Sequence, residues 1–481
     1  MFPCTVAQLL QIIAGNAVDD CGRDGTAVTG VSIDSRKIQP GDVFFALPGT
    51  KYHGVLYADE AIERGASCVV TDHASVGSLP DHPKVVRFRS ADTIENDSRM
   101  IRVPDVLQAL QKLAEWNRRQ SSALIIGITG SVGKTTARQM IASVLRTQFC
   151  GVQSPQNFNN ELGVPLSLLQ LNPEHEFAVL EMGASRPGDI RWLAQLAKPE
   201  IGLITKVAPT HLESFESLSA IQSTKQELAQ AIGSGGTVLL NADDSLVCSM
   251  KSSTSAEVIL FGLAEDADVQ VSDVSIHEGI CTVEIGDKLY QFAGPRHLAS
   301  LAAAAVAVGQ LVGVCDSNIR MGLASFQLDA GRGRVVQRSP WIVVDDSYNA
   351  SPASVAAAIE SLSDWTNAKH RVLVLGDMLE LGNDTAKAHF EVGRALAAST
   401  VDHTLVFGEF ASSVVEGARS AGVSVNRISL FSDLSTLQVI LDCLLTPGDI
   451  VLVKGSRAMA MERVVQWLDK QSQHIPMRFA A

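Results

Sequence analysis

The segment with the clearest chemistry is a glycine-rich turn between a predicted strand and a predicted helix. It reads GITGSVGKTT over residues 127–136 and is followed by the helical pattern ARQMIASVL. Glycines let a backbone wrap closely around a phosphate, and amides at a helix N-terminus point toward the anion. In such a loop the Lys134 ammonium would reach the β- and γ-phosphates of a nucleotide, and the Thr135 hydroxyl would bind Mg²⁺.

The spacing of this loop is neither of two common nucleotide motifs. Ile128 stands where a strict Walker motif has glycine, and the dinucleotide fingerprint GxGxxG carries no lysine. A glycine-rich turn without a ligand is the alternative, but strand, loop, Lys-Thr pair and helix occur together. The sequence therefore predicts phosphate contacts for Gly130, Ser131, Val132, Gly133, Lys134, Thr135 and Thr136.

A second candidate lies at the end of the predicted strand over residues 177–181. Ligands gather at the carboxyl ends of strands in open α/β sheets. Mg²⁺ prefers hard oxygen ligands and usually keeps some of its waters. Glu181 is therefore predicted to bind Mg²⁺, with an acid exposed at a strand end as the alternative.

The elements that must position these residues fall into three blocks. Residues 1 to about 100 mix short strand-like runs (42–46, 68–71, 85–88) with a helix signal, and Pro104 then opens a helix. Apolar runs alternating with helical patterns follow twice, as expected for parallel sheets covered on both faces. The predicted fold class is α/β with three domains: a small mixed α/β N-terminal domain (1–102), a central P-loop-type parallel-sheet ATPase domain (103–328) and a C-terminal Rossmann-like α/β domain (329–481).

Composition narrows the class of protein. The chain of 481 residues is 46% hydrophobic and 19% charged, which excludes a disordered or fibrous chain. A net charge of −13 argues against binding to nucleic acid or an anionic membrane. The apolar run over 298–314 is predicted as a buried Ala-rich helix and not a membrane span. Eight cysteines without a CxxC pair, and no cationic leader, predict a reduced cytoplasmic protein.

The phosphate loop and six further sets of residues resemble the Mur ligase family, the ATP-dependent ligases that build the peptide of peptidoglycan. These matches follow one another in order through nearly the whole chain. They comprise residues 34–36 (DSR) with 40–47 (PGDVFFAL), 157–165 (NFNNELGVP), 181–184 (EMGA), 345–350 (DDSYNA), 375–382 (LGDMLELG) and 454–457 (KGSR). The last three resemble the member of the family that adds a dipeptide.

The resemblance implies a reaction and its substrates. ATP would phosphorylate the C-terminal carboxylate of UDP-N-acetylmuramoyl-tripeptide, and the amine of D-alanyl-D-alanine would attack the resulting acyl phosphate. The first step brings two anions together, so positive charge from Lys134 and Mg²⁺ must offset their repulsion. The implied enzyme acts in cytoplasmic peptidoglycan precursor synthesis, on small molecules only, and we expect a monomer.

The resemblance also assigns metal and catalytic residues. His211 would help to hold a second Mg²⁺, and Lys225 would react with CO₂ to give a carbamate whose two oxygens suit metal coordination. His211 and Lys225 thereby join Thr135 and Glu181 as metal ligands, and join Lys134 and Glu181 as catalytic residues.

Further contacts with the nucleotide and the substrates are implied. Arg332 would meet the γ-phosphate and Asp346 the ribose, although the neighbouring Asp345 leaves that assignment open by one residue. The substrate contacts implied are Asp34, Ser35, Arg36, Asn157, Asn160, Asn349, Asp377, Lys454 and Arg457.

One segment departs from the family pattern. The family usually has His-Asn-x-x-Asn before the Ala-rich helix, and the first Asn contacts adenine, whereas this chain has Leu298 and Leu301 at the two Asn positions. Leucine cannot hydrogen-bond the purine edge, so a loss of about 1 kcal/mol per bond predicts affinity for the base weaker by several-fold.

Three other functions compete with this one. The ligase that adds the third residue of the same precursor is the nearest, but the DNPR motif of its diaminopimelate-specific members is absent. A non-catalytic P-loop nucleotide-binding protein is supported by the two missing asparagines. A folate polyglutamate ligase would share the phosphate loop but not the UDP-binding or C-terminal segments.

Overall fold

The computed structural model describes residues 1–14, 25–49, 52–72, 99–155, 157–209, 215, 217–277, 279–337 and 339–472. Within these residues the chain forms three larger sheets, each flanked by helices, and one small antiparallel pair. The predicted strand over 85–88 and His211 lie outside the described residues.

The N-terminal part contains a four-stranded parallel sheet in the order β3-β4-β5-β6, counted over its described residues. Phe44 and Phe45 in its second strand are fully buried. Strands β1 and β2 form the separate antiparallel pair. The elements are β1 (Cys4–Thr5), α1 (Val6–Ala14), β2 (Ala27–Val28), β3 (Gly30–Ser32), β4 (Asp42–Phe45), α2 (Ala58–Glu63), β5 (Cys68–Asp72) and β6 (Met100–Val103).

Helix α3 (Val106–Gln120) joins the N-terminal part to the central one. The Asp105 side chain caps it by accepting from the amide of Gln108, which satisfies a donor that the first turn leaves open. Leu110 and Leu113 are fully buried on its apolar face. Because α3 packs against α1 and one hydrophobic cluster continues from the N-terminal strands into the central part, the domain boundary at residue 102 stays a prediction.

The central part is built on a sheet that has nine strands among the described residues, in the order β15-β14-β13-β12-β11-β10-β7-β9-β8. Strands β7 to β13 are parallel to their neighbours in this set, and β14 and β15 extend the sheet in antiparallel pairing. Its strands are β7 (Leu124–Thr129), β8 (Gly151–Gln153), β9 (Phe177–Glu181), β10 (Ile201–Ile204), β11 (Thr237–Asn241), β12 (Glu257–Gly262), β13 (Val269–His277), β14 (Ile280–Ile285) and β15 (Lys288–Ala293).

The helices of the central part cover both faces of this sheet. The Ala-rich helix that the sequence predicts is α9, and it is buried along almost its whole length. The helices are α4 (Lys134–Leu145), α5 (Gly163–Leu168), α6 (Asp189–Ala197), α7 (Leu218–Ala231), α8 (Ser245–Cys248), α9 (Ala299–Leu311) and α10 (Asp316–Ser325).

The C-terminal part has a sheet in the order β16-β17-β21-β18-β19-β20, parallel except for β16. Its strands are β16 (Arg334–Gln337), β17 (Ile342–Asp346), β18 (Arg371–Gly376), β19 (His403–Phe407), β20 (Ile428–Phe431) and β21 (Ile450–Lys454). Its helices are α11 (Pro352–Ser361), α12 (Thr385–Ala395), α13 (Ala411–Ser420), α14 (Leu434–Leu444) and α15 (Glu462–Ser472).

Two expectations from composition can be compared with this fold. In the part of the chain that the structure describes, no helix is long and apolar enough to cross a membrane. No disulfide joins the cysteines of the described residues.

Candidate active site

The phosphate loop leaves the carboxyl end of β7 in the middle of the central sheet, and α4 begins at Lys134. Gly130 and Gly133 have φ angles of +145° and +91°, a region that residues with a Cβ rarely adopt. A Cβ on Gly130 would lie 2.0 Å from the Thr205 hydroxyl oxygen. That hydroxyl donates to the carbonyl of Val132 at 2.6 Å, so the end of β10 supports the loop.

The Lys134 ammonium points back into its own loop. It donates to the carbonyl oxygens of Gly130 at 2.7 Å and Ser131 at 3.4 Å, and it forms no ion pair with another described residue. Burial lowers the pKa of this ammonium, the Glu181 carboxylate opposes that change, and the Arg332 guanidinium adds to it. The positive charge of Lys134 is therefore free to meet an anion at the loop.

Glu181 ends β9 and is only 3% exposed. One of its oxygens accepts from the Thr135 hydroxyl at 2.8 Å, and the other accepts from the Asn159 amide at 2.9 Å. The Arg138 guanidinium approaches the first oxygen at 3.8 Å. The structure thus brings Thr135 and Glu181 together as the sequence predicts, with their oxygens side by side below the loop.

The donor set around Glu181 fits a magnesium ion. A buried carboxylate beside a hydroxyl oxygen offers the hard ligands that Mg²⁺ prefers, and Mg²⁺ commonly completes its shell with water and substrate phosphates. Among the residues that the structure describes, no three His, Cys, Asp or Glu side chains form a metal-binding cluster.

Lys225 lies on α7 with only 4% of its surface exposed. Its ammonium makes no hydrogen bond or ion pair with the described residues around it. Burial lowers the pKa of this ammonium to about 7, and the nearby Lys134 charge lowers it too, against the opposing charges of Asp189 and Glu227. The lowered pKa favours the neutral amine, which is the form that reacts with CO₂.

A cleft of about 750 Å³ lies beside the phosphate loop. Lys134 and Lys225 both line it, so the structure brings two of the predicted catalytic residues to one cavity. The other walls come from α3, the segment around Asn160, the turn between β9 and α6, and Phe215. The lining also includes Leu107, Gln111, Gly130, Ser131, Asn159, Glu161, Arg186, Asp189, Trp192 and Ile221.

The two residues assigned to the nucleotide in the C-terminal part have different surroundings. The Arg332 guanidinium lies 4.1 Å from the centre of the Tyr348 ring, and its charge reaches Lys134. The Asp346 carboxylate accepts from the Lys454 ammonium at 2.6 Å. Asp345 accepts from the amides of Gly331 and Ser347 and is fully engaged in its own turn. Of the two acids, Asp346 is the more accessible, with 20% of its side chain exposed although it pairs with Lys454, and its contact with the ribose stays a prediction.

In the N-terminal part, the predicted UDP-sugar residues mainly contact one another. The Asp34 carboxylate binds the Arg36 guanidinium at 2.9 Å and also accepts from its amide, which holds the pKa of Asp34 below its ordinary value. The Ser35 hydroxyl donates to Glu60 at 2.6 Å. Arg36 is exposed and is the member of this group that a diphosphate could reach.

Asn157 and Asn160 have separate positions near the cleft. Asn157 is exposed and its carbonyl accepts from the amide of Asn159. The Asn160 side chain accepts from the amides of Leu162 and Gly163 and so caps the start of α5. These contacts organise the segment, and a role for either residue in binding substrate stays a prediction.

The remaining assigned residues of the C-terminal part are largely held by that part itself. Asp377 is buried and accepts from the amides of Glu409 and Phe410. Lys454 is 2% exposed and also donates to the carbonyl of Asn349. Arg457 is exposed and pairs with Glu462 at 3.2 Å. The structure does not bring these side chains to the cleft that Lys134 lines.

Two residues beside Glu181 were not singled out from the sequence. Asn159 belongs to the NNELG segment, and the capping role of Asn160 leaves Asn159 as the asparagine that touches Glu181. Arg138 is one helical turn after Lys134 on α4, so an i, i+4 reading of that helix would have found it. Arg138 also donates to the carbonyl of Ser154.

The departures at Leu298 and Leu301 are buried in the central core. The side chain of Leu301 lies 3.3 Å from the position that a Cβ on Gly133 would take. Leu301 therefore packs an apolar surface directly against the phosphate loop.

Three family descriptions match the chain in succession. They are the Mur ligase family catalytic domain over residues 27–118, the Mur ligase middle domain over 128–307 and the Mur ligase glutamate ligase domain over 331–457. The curated proteins of Escherichia coli (32% identical; 98% of this chain and 99% of that protein covered) and Bacillus subtilis (30%; 97% and 98%) are both named UDP-N-acetylmuramoyl-tripeptide–D-alanyl-D-alanine ligase.

Solved structures give the same picture. MurF from Acinetobacter baumannii superposes with a TM-score of 0.83 at 26% identity, covering 97% of this chain and 99% of that one. MurF ligase from Thermotoga maritima in complex with ADP has a TM-score of 0.77 at 28% identity, covering 95% and 100%. These neighbours confirm the predicted fold class of three α/β domains.

Proposed function

The chain belongs to the Mur ligase family, and from that membership we propose the reaction it catalyses. It is the ATP-dependent ligase that joins D-alanyl-D-alanine to UDP-N-acetylmuramoyl-tripeptide. The products are UDP-N-acetylmuramoyl-pentapeptide, ADP and phosphate, and the reaction serves peptidoglycan precursor synthesis. Relatives that carry this name match the chain over nearly its full length.

One observation carries the proposal beyond the family name. The phosphate-loop lysine Lys134 and the buried Lys225 line a single cavity. Asn159 lines it too and donates to the Glu181 carboxylate that the Thr135 hydroxyl also contacts. A protein that only bound nucleotide would need the loop but not a second buried, unpaired lysine beside it. A buried lysine without a partner is costly, so its presence in the cavity favours catalysis.

In the first step, an oxygen of the tripeptide carboxylate attacks the γ-phosphorus of ATP and ADP leaves. The Lys134 ammonium faces the phosphate loop and offsets the repulsion between the two anions. The Arg332 guanidinium, whose charge already reaches Lys134, contributes a second positive charge on the side of the C-terminal part.

Thr135 and Glu181 would hold Mg²⁺, with Asn159 and Arg138 orienting the Glu181 carboxylate. Bound there, the ion would neutralise charge on the β- and γ-phosphates. As a carbamate, Lys225 would carry two oxygens into the same cavity and add a ligand. The place of His211 in this set stays a prediction.

In the second step, the amine of D-alanyl-D-alanine attacks the acyl carbonyl. The tetrahedral intermediate then loses phosphate and a proton to give the amide. Water competes for the acyl phosphate, so closing the C-terminal part over the cleft would protect it. Unchanged small-angle scattering profiles with and without ligands would argue against closure.

Phosphate release is the experiment that tests the function. The purified protein is assayed with ATP, the UDP-tripeptide and D-alanyl-D-alanine, and then with each component left out. We expect release only in the complete mixture, together with a product whose mass equals that of the UDP-pentapeptide. Release with a single diamino acid and the UDP-dipeptide would favour the ligase that adds the third residue. No phosphate release from a folded protein that binds ATP would favour a non-catalytic nucleotide-binding protein.

A further inference from the structure

One wall of the cleft is the turn over residues 183–188, between β9 and α6. It carries Arg186, which lines the same cavity as Lys134 and Lys225. The Arg186 side chain is 77% exposed. Neither step of the proposed reaction uses this cation, so its presence in the substrate cleft needs another explanation.

A single contact orients the Arg186 guanidinium and leaves its outer groups open. Its Nε donates to Oδ1 of Asp189 at 3.1 Å. Its two Nη groups have no partner among the residues described in the structure. A planar guanidinium held at Nε and open at both Nη groups has the geometry that binds a carboxylate through two parallel hydrogen bonds.

One oxygen of the partner carboxylate of Asp189 is already occupied by its own turn. Its Oδ2 accepts from the amides of Ser185 at 2.9 Å and Arg186 at 3.0 Å, and from the Ser185 hydroxyl at 3.3 Å. Burial opposes the effect, but these hydrogen bonds lower the pKa of Asp189. The acceptor sites of Asp189 are therefore largely used by Ser185 and Arg186, whereas an incoming carboxylate would find free N–H donors on the Nη groups of Arg186.

The turn that presents Arg186 is held firmly from behind. Buried Glu227 on α7 accepts from the amides of Gly188 and Arg191 at 2.9 Å each. It lies two residues after Lys225 on the same helix, so one helix positions both the turn and the catalytic lysine. A recognition group on such a fixed wall loses little entropy when it binds.

Resting on the proposed function, we propose that Arg186 binds a second carboxylate of the tripeptide, at the distal end of its third residue. The substrate class is therefore a precursor whose third residue is diaminopimelate and not lysine. The carboxylate that reacts at the Lys134 loop belongs to that third residue, so we place its side chain in the cavity that Lys134 and Arg186 share. The distal end of diaminopimelate carries a carboxylate beside its ammonium, whereas lysine carries an ammonium alone, which gives the Arg186 guanidinium nothing to bind.

Steady-state kinetics with two precursors test this assignment. UDP-tripeptides ending in meso-diaminopimelate or in L-lysine are compared at saturating ATP and D-alanyl-D-alanine, with the intact chain and with Arg186→Gln. We expect the lysine precursor to have a KM at least about tenfold higher. Arg186→Gln should raise the KM for the diaminopimelate precursor about 10- to 100-fold with little change in kcat, since a charge-assisted bond made in both ground and transition states is lost.

Arg119→Gln is the matched control. Arg119 is 62% exposed, pairs with Glu115 on α3 and lies outside the cleft. The control should change neither KM. Melting temperatures and titration calorimetry with each precursor show whether the variants fold and whether the change in KM is a change in binding.

The outcomes separate this inference from the function it rests on. Equal KM values for the two precursors, unaffected by Arg186→Gln, would overturn the inference and leave the ligase function intact. A precursor amidated at the D-glutamate carboxylate supplies a further arm. If that amidation, and not the change to lysine, removes the effect of Arg186→Gln, then Arg186 binds the second residue and the assignment is wrong. Failure to ligate either tripeptide would overturn the function as well.

Discussion

In the central part, Lys134 and Lys225 line one cavity and neither forms an ion pair with another described residue. In the C-terminal part, Lys454 is buried against Asp346 at 2.6 Å, and Asp377 is taken up by the amides of a neighbouring loop. In the sequence, both pairs of residues are assigned to ligands in the same way, by their resemblance to the motifs of the family. The motifs therefore do not reveal which charged residues are available to a ligand.

The difference has a physical reason. An unpaired buried cation costs free energy, and a protein retains one where an anion will bind. A buried ion that has a partner stabilises the local structure instead. Here Lys454, at the end of β21, holds Asp346 at the end of β17 and the carbonyl of Asn349 just after it. We therefore expect substitutions of the central cations to change turnover, and substitutions of the buried C-terminal ions to change stability first.

The largest effect should come from Lys134→Met. The variant removes the charge at the phosphate loop, where two anions meet, so turnover should fall about 100- to 1000-fold. Initial rates of phosphate release measure the loss, and a melting temperature close to that of the parent shows that the fold is intact. Lys251→Met, at an exposed position on another surface, changes net charge equally and should be silent. Undiminished turnover by Lys134→Met would show that the unpaired cation at the phosphate loop is not needed for the reaction.

Lys454→Met tests the paired ions of the C-terminal part, and it should lower stability. Removing one member of a buried pair leaves an uncompensated charge, here Asp346, and typically costs about 3 kcal/mol. Urea unfolding followed by tryptophan fluorescence measures the change, since Trp341, Trp365 and Trp467 of this part contribute three of the five tryptophans. Lys369→Met, at an exposed site in the same part, is the control. A variant of normal stability but with no turnover would mean that Lys454 acts on substrate.

Removal of CO₂ should lower turnover through Lys225. Its pKa of about 7 means that the amine loses its proton as the pH rises through 7, so carbamate formation should increase over that range. Loss of a metal-supporting group typically costs about 10- to 100-fold in activity. Degassed buffer should therefore reduce the rate, and bicarbonate should restore it. With ¹³C-bicarbonate, a carbamate carbon signal in the parent and none in Lys225→Ala would report the modification directly.

The parts of the fold that repeat a strong local pattern are predictable from the sequence. A strand buried on both faces, Phe177–Glu181, matches its prediction residue for residue. The sequence does not predict the three-stranded antiparallel edge formed by β13, β14 and β15. Its strands alternate between buried and exposed residues at the edge of the sheet, so they lack the continuous apolar runs on which the other strands were recognised.

The site divides in the same way. The loop and the Thr135–Glu181 pair follow from residue type and from the place of strand ends, because both depend on local sequence. Local sequence does not identify Asn159 or Arg186. Each stands out because a neighbouring side chain already makes its hydrogen bonds elsewhere. Asn160 is used as a helix cap and Asp189 binds the amides of its own turn, and only three-dimensional contacts reveal such competition.

The smallest expected effect concerns how strongly the protein selects the base of the nucleotide. Leu298 and Leu301 are buried apolar residues, so neither can hydrogen-bond a purine. One lost hydrogen bond of about 1 kcal/mol corresponds to about fivefold in affinity. We therefore expect KM values for ATP and GTP to differ by less than about tenfold, because recognition rests on the phosphates. Discrimination above about a hundredfold would show that another polar group reads the base. Leu298→Asn, which adds an amide without altering the loop, should then increase the preference for ATP only if the base lies beside that residue.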